Sequence, residues 1–252
     1  MNKAYWNDIA PSYDKEIFSV FHEDRNKTLL SYFNKYSNKS HFATDLGCGT
    51  GKAFDYLAPR FKKVLAVDFA QNLLDTAKLN ARQNITIKKL DLTKSDFEIP
   101  QADFAFCCNV AMLPDIEKNH TIIKNVHDSI KRNGTAIFVL PSLESMMSKS
   151  WITTEWFRRD GISFEEIPDS QWNDFKLGKK SFLMGLININ GVITKHYLRS
   201  EIVHLFNSLS LHVKGIDKLE YDWKTEFESP PEWMHDPYPW DWLIECERMD
   251  KD

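Results

Sequence analysis

Residues 45–51 read Asp-Leu-Gly-Cys-Gly-Thr-Gly, which places three of the chain's nine glycines at alternate positions. Glycine loses more backbone freedom on folding than any other residue. Three so close together are kept where the chain must adopt conformations closed to side chains, or where something must approach the backbone itself. Before them, Phe42-Ala-Thr-Asp-Leu46 reads as a short buried strand; after them, Ala53-Phe-Asp-Tyr-Leu57 has helical spacing until Pro59 stops it. Strand, glycine turn and helix in that order open one unit of a parallel α/β sheet.

The unit repeats. Lys63–Asp68 is a second apolar strand ending in an acid, and Leu73, Leu74, Ala77 and Ala81 share one face of the next helix. Ile85–Leu92 and Ala102–Val110 read as strands three and four. Ile116, Ile123, Val126 and Ile130 mark a helix expected to stop at Asn133-Gly134, and Thr135–Pro141 is a fifth strand. Upstream, Leu29, Leu30, Phe33 and Tyr36 predict a helix within residues 22–36. Strands this continuously apolar belong to a sheet covered by helices on both faces.

Past Pro141 the rhythm changes. Residues 142–195 are rich in Trp and Phe and carry one strand-like run, Ser181–Ile189. A helix is expected over 197–209, a strand over 211–221, a Pro-rich aromatic segment over 223–240 and a last strand over 240–248. This predicts one domain over 1–252: an N-terminal segment 1–22, a core 23–141, an insertion 142–195 after strand five, and a C-terminal helix and β-hairpin with a long loop over 196–252.

Composition sets outer bounds. With 42% hydrophobic and 27% charged residues the chain reads as a soluble globular protein, and a net charge of −4 argues against a general nucleic-acid binder. No apolar run approaches the roughly 20 residues of a membrane helix. Cys48, Cys107, Cys108 and Cys246 lack any C-x-x-C spacing, so neither a metal site nor a disulfide framework is expected, and the default compartment is a reducing cytoplasm.

Three chemistries compete for the glycine loop. A phosphate-binding P-loop would need glycine at Leu46 and a hydroxyl at Ala53. A dinucleotide fingerprint would need glycine at Lys52. The pattern present is D-x-G-x-G-x-G, carried by Asp45, Gly47, Gly49 and Gly51; an ordinary strand-to-helix turn is the plain alternative.

With this loop the chain resembles the class I S-adenosylmethionine-dependent methyltransferases of the small-molecule type. The resemblance implies a Rossmann-like, seven-stranded, mostly parallel sheet whose last strand is antiparallel. It implies that the glycines let the backbone approach the cofactor and that Asp45 helps hold its amino-acid end, a cationic ligand that suits a carboxylate. It places Asp68 on both ribose hydroxyls, where charge-assisted bonds are the stronger kind. Phe69 falls on the adenine face, Asp91 and Leu92 on the adenine edge, and Asn109 where donor meets acceptor. The N-terminal stretch resembles a lid in which Tyr13 reaches the cofactor and Trp6 the acceptor; packing of an amphipathic helix is the alternative for both.

Asn109-Val-Ala-Met-Leu-Pro114 lacks the Pro-Pro-aromatic run of amino-methylating DNA enzymes, and Cys107 and Cys108 lie inside a strand. A small-molecule acceptor remains, and parallel sheets bind ligands beyond the carboxyl ends of their strands. That rim carries the aromatic insertion and loop, making Trp151, Trp156, Trp233 and Tyr238 candidates for the acceptor wall; packing of irregular segments onto the body is the alternative for each. In-line displacement at a sulfonium methyl needs a base only if the nucleophile arrives protonated, and His196 and His22 are candidates on residue type alone. A cofactor-binding partner protein without catalysis, a protein or nucleic-acid methyltransferase and a nicotinamide oxidoreductase are the competing classes.

Overall fold

The computed structural model of the protein describes residues 19–249; Trp6 and Tyr13 lie outside them. The described residues open with α1 (Val20–Glu23) and α2 (Thr28–Lys35). The single helix expected over 22–36 is broken between them, because both carboxylate oxygens of Asp24 accept from the backbone N–H groups of Thr28 and Leu29, at 3.0 and 2.8 Å, and so start α2 afresh.

The alternating units then follow: β1 (Asn38–Leu46), α3 (Phe54–Leu57), β2 (Phe61–Asp68), α4 (Gln71–Asn80), β3 (Ile85–Lys89), β4 (Ala102–Cys108), α5 (Ile116–Asp128) and β5 (Ile130–Pro141). The helix α3 is a single turn, because the fully buried Phe61 already belongs to β2. Asn133-Gly134 does not end α5. The helix stops at Asp128, and Asn133, at φ 58°, sits inside β5 where its pairing with β4 slips between Ala102 and Phe104. An Asn-Gly pair supplies positive φ to a strand bulge as readily as to a helix end, which is why the sequence misplaces it.

The insertion folds as α6 (Leu143–Arg159), two short 3-10 segments, α7 (Lys179–Leu183) and a hairpin of β6 (Leu186–Ile189) and β7 (Val192–Lys195). The run 181–189 is thus part helix and part strand, divided at Gly185 with φ 70°. Next come α8 (Arg199–Ser208), β8 (Leu211–Glu220) and β9 (Trp240–Arg248).

The sheet order is β3-β2-β1-β4-β5-β9-β8, with β9 running against the other six strands. One buried cluster fills the face under α5 and α8, around Ile123, Val126, Ile202 and Phe206; a second, around Phe33, Phe61, Phe104 and Phe106, fills the face under α2. Two covered faces explain the continuous apolar strands. Among the described residues no helix is long and apolar enough to cross a membrane.

The insertion is stitched to the sheet at its exit. Tyr197 pairs with Ser142 in a parallel bridge, its N–H donates to the Pro141 carbonyl at 2.8 Å, and its hydroxyl donates to the Ala111 carbonyl at 2.6 Å.

Candidate cofactor and acceptor site

A cavity of about 1480 Å³ lies over the carboxyl ends of the parallel strands. Pockets for one drug-sized ligand run to about 1,000 Å³, so this one has room for two molecules side by side.

Its first half is built by β1, β2 and the glycine loop. Asp68, at the end of β2, accepts from the Gly49 N–H at 3.0 Å and the Ala70 N–H at 2.9 Å, and the Val67 carbonyl accepts from the Gly47 and Cys48 N–H groups. The last residues of β2 therefore fix the loop after β1. Burial raises the Asp68 carboxyl's pKa, while the backbone donors pull it back.

The three glycines do different work. Gly47 has φ 85°, and a Cβ there would lie 2.2 Å from the Val110 side chain. Gly49 has φ 54° and lines the cavity. Gly51 does not line it; at φ 87°, its Cβ would meet the Phe54 ring at 2.5 Å, so it serves the turn and the packing of α3.

Asp45 is 3% exposed, and its Oδ2 has no hydrogen-bond partner. Burial, with the nearby Asp68 charge, pushes its carboxyl up to about 8. A buried acid in this condition calls for a cation. Asp91, Leu92 and Phe69 line the same half. Asp91 accepts from the Thr93 N–H and hydroxyl at 2.9 and 2.7 Å, and Asn125 donates to the Leu92 carbonyl at 2.9 Å, which ties that loop to α5.

Asn109 stands where the two halves meet, at φ 53°, with its N–H donating to the Val139 carbonyl and its side-chain oxygen buried without a partner. The second half is walled by residues the sequence did not single out: Asp241, Tyr221, Trp240, Lys149, Glu226 and Asp174. Tyr221 donates to Asp241 at 2.8 Å, and Lys149 pairs with Glu226 at 2.7 Å. Burial pushes Asp241 up to about 6, against the hydrogen bonds from Tyr221 and Asn109. A signal for Asp241 existed: it is the one acid in the first five residues of an otherwise apolar strand, Trp-Asp-Trp-Leu-Ile.

His196 lines this half, buried and held down to about 4 chiefly by that burial, hence neutral. His22 belongs to α1 and is not part of the wall. The four aromatics expected to line the acceptor side do not. Trp151 is 64% exposed on α6, and Trp156, Trp233 and Tyr238 pack around Trp223, Met234 and Ile152. A long loop without regular secondary structure needs its own small core, and these rings supply it. Among the described residues, Trp240 is the tryptophan that reaches the cavity. Trp151→Ala is accordingly expected to change stability by no more than about 0.5 kcal/mol, as for a surface position, and to leave ligand affinity unaltered; thermal melts and titrations check both.

The buried acids make a prediction for pH. A carboxyl whose pKa is raised by folding contributes stability below its unfolded value, and that contribution is lost as pH rises through the folded value. Asp45 therefore destabilises the ligand-free protein increasingly as pH rises to about 8. The depressed His196 acts in the opposite sense below its ordinary value of 6.5. The melting temperature should fall between about pH 6.5 and 8.5, and Asp45→Asn should flatten that slope. An unchanged slope in the variant would show that the Asp45 carboxyl is not responsible.

Fold and site together define an α/β domain with one cavity at the carboxyl ends of its strands, lined on one side by the glycine loop and on the other by an acidic wall. Residues 43–134 match the family model described as a methyltransferase domain. An uncharacterized protein of Haemophilus influenzae is 30% identical over 124 residues, 44% of this chain and 45% of that one. A probable S-adenosylmethionine-dependent methyltransferase of Saccharomyces cerevisiae, CRG1, is 29% identical over 90 residues, 34% of this chain and 26% of that one. The matched stretch thus spans less than half the length of either curated relative. Among solved structures, a SAM-dependent methyltransferase of Methanosarcina mazei superposes with a TM-score of 0.61 at 14% identity, over 87% of this chain and 98% of that one. Residues 43–134 are thus similar to a methyltransferase domain, and the seven-stranded sheet has the Rossmann-like fold of that solved structure.

Proposed function

We propose that the protein transfers a methyl group from S-adenosylmethionine to a small-molecule acceptor. The observation that carries this is the division of one cavity. The glycine loop, Asp45, Asp68 and Asp91 lie on one side, an acidic acceptor wall lies on the other, and Asn109 stands between them.

The residues present fit the cofactor. Each Asp68 oxygen accepts one backbone N–H and keeps capacity for a ribose hydroxyl. Asp91 and Leu92 would take the adenine edge and Phe69 its face. Asp45, short of a partner on Oδ2, would meet the cationic amino-acid end. When bound, the cofactor supplies a methyl group on a sulfonium, and the thioether left behind is neutral. The chain's share is alignment and exclusion of water, which provide much of the rate for an in-line displacement. Gly49 allows close approach, Asp68 holds the loop that carries it, and the neutral His196 presents no charge to the acceptor side.

The test is titration with S-adenosylmethionine and S-adenosylhomocysteine, followed by methyl-label transfer to amines, thiols, phenols and carboxylates. Binding of both cofactor forms with label passing to one of these classes is expected. A folded protein that binds neither form would refute the reading; one that binds both and labels none would be a cofactor-binding partner protein instead.

A further inference from the structure

The acceptor half of the cavity is rich in carboxylates. Asp241 and the Asn109 side-chain oxygen face it from β9 and from the end of β4, and the latter is buried with no partner. Tyr221 donates to Asp241 at 2.8 Å, the Asn109 amide supports the same carboxylate, and Lys149 is held by Glu226 at 2.7 Å, while the Trp240 indole N–H is buried without a partner. Three carboxylates, Asp174, Glu226 and Asp241, stand here with Lys149, and the Tyr221 and Trp240 rings complete the wall.

A molecule entering here must bring hydrogens and tolerate negative charge. A carboxylate brings no hydrogen and is repelled, and a thiol donates weakly. A phenol donates one hydrogen, while an ammonium donates two or three and carries the complementary charge. Resting on the methyltransferase reading above, we infer that the acceptor is a primary or secondary amine, bound as its ammonium between Asp241 and the Asn109 oxygen, and that Asp241 takes its proton.

Chemically, one N–H bond breaks and the proton passes to the Asp241 carboxylate, leaving a lone pair on nitrogen. That pair forms the new N–C bond as the C–S bond breaks with its electrons kept on sulfur. The product is an N-methylated ammonium, and the carboxyl returns its proton to solvent. Burial and the Glu226 charge make Asp241 a stronger base than a surface aspartate, and Tyr221 orients it. Asp241 would thus touch the reacting nitrogen, whereas Tyr221 acts through Asp241 as a positioning residue.

The experiment uses phenethylamine and putrescine as amine probes, against 4-ethylphenol, 2-phenylethanethiol and phenylacetate. The parent should bind an amine probe and label it in preference to the other three. Asp241→Asn should keep its S-adenosylmethionine Kd within about threefold, weaken amine binding measured by calorimetry at least tenfold, and lower kcat/KM for the amine about 100-fold or more. Tyr221→Phe, which removes one hydroxyl, should lower kcat by about three- to tenfold with little change in KM, and it decides the matter should Asp241→Asn fail to fold. The inference is overturned if neither amine binds, if the label goes to the phenol, thiol or carboxylate, or if either variant handles the amine like the parent while binding cofactor normally. A parent that binds no S-adenosylmethionine would defeat the underlying reading, a result visible in the cofactor titration alone.

Discussion

Asp68→Ala is expected to weaken S-adenosylmethionine binding by about 1.5–3 kcal/mol, the range for hydrogen bonds to charged groups, or roughly 10- to 150-fold. Its effect should not stop at the ligand. The carboxylate also accepts from Gly49 and Ala70, so its removal leaves two buried N–H groups unpaired and frees the glycine loop from β2. A fall in melting temperature should therefore accompany the loss of affinity. Asp68→Asn keeps one acceptor and should fall between. Calorimetric titration and thermal melts check the pair; parent affinity in both variants would remove Asp68 from the cofactor site.

Gly49→Val is expected to abolish measurable cofactor binding, a loss beyond about 100-fold or 2.7 kcal/mol, while the protein still melts cooperatively. The residue lines the cavity at φ 54°. A β-branched side chain in that region is strained by about 1–3 kcal/mol, so the melt should shift downward without vanishing. The contrast is Gly51→Val, which would strike the Phe54 ring behind the loop and reach the cavity only indirectly. It should cost stability and retain most of the affinity. Affinity within threefold of parent in Gly49→Val would mean that the alternate glycines serve the turn alone.

The sheet was legible because each strand carries its own evidence: a run of apolar residues with an acid or a glycine at its carboxyl end. That placed Asp45 and Asp68 at the ends of β1 and β2, Asp91 beyond β3 and Asn109 beyond β4 without any knowledge of contacts, and all four line one cavity. The acceptor wall was not legible in the same way. It is assembled from residues 145–241, whose neighbourhood is set by tertiary packing, and no local period announces that Tyr221 meets Asp241. Abundance of aromatic residues misled in a physical sense. Trp156, Trp233 and Tyr238 are where an irregular loop needs apolar surface to hold itself together, and the same composition serves a binding wall or a miniature core. Asn133-Gly134 failed for a similar reason, since positive φ is a local requirement shared by unrelated structures.

The seam at Tyr197 gives the insertion a particular independence. Residues 142 and 197 lie side by side in one bridge, so some fifty residues leave and re-enter the sheet through a single gap. Excising or exchanging what lies between them would leave ends that need no spanning linker, and closure cost rises only as the logarithm of loop length. A chimera carrying another insertion between the same two residues would keep β5 in register with β9, since those strands pair with each other through Pro141 and Asp241 without passing through the inserted segment. The fold thereby lets the part of the wall that the insertion supplies, Lys149, Asp174 and His196, change while the glycine loop and β9 stay in place, like a tool head on a handle.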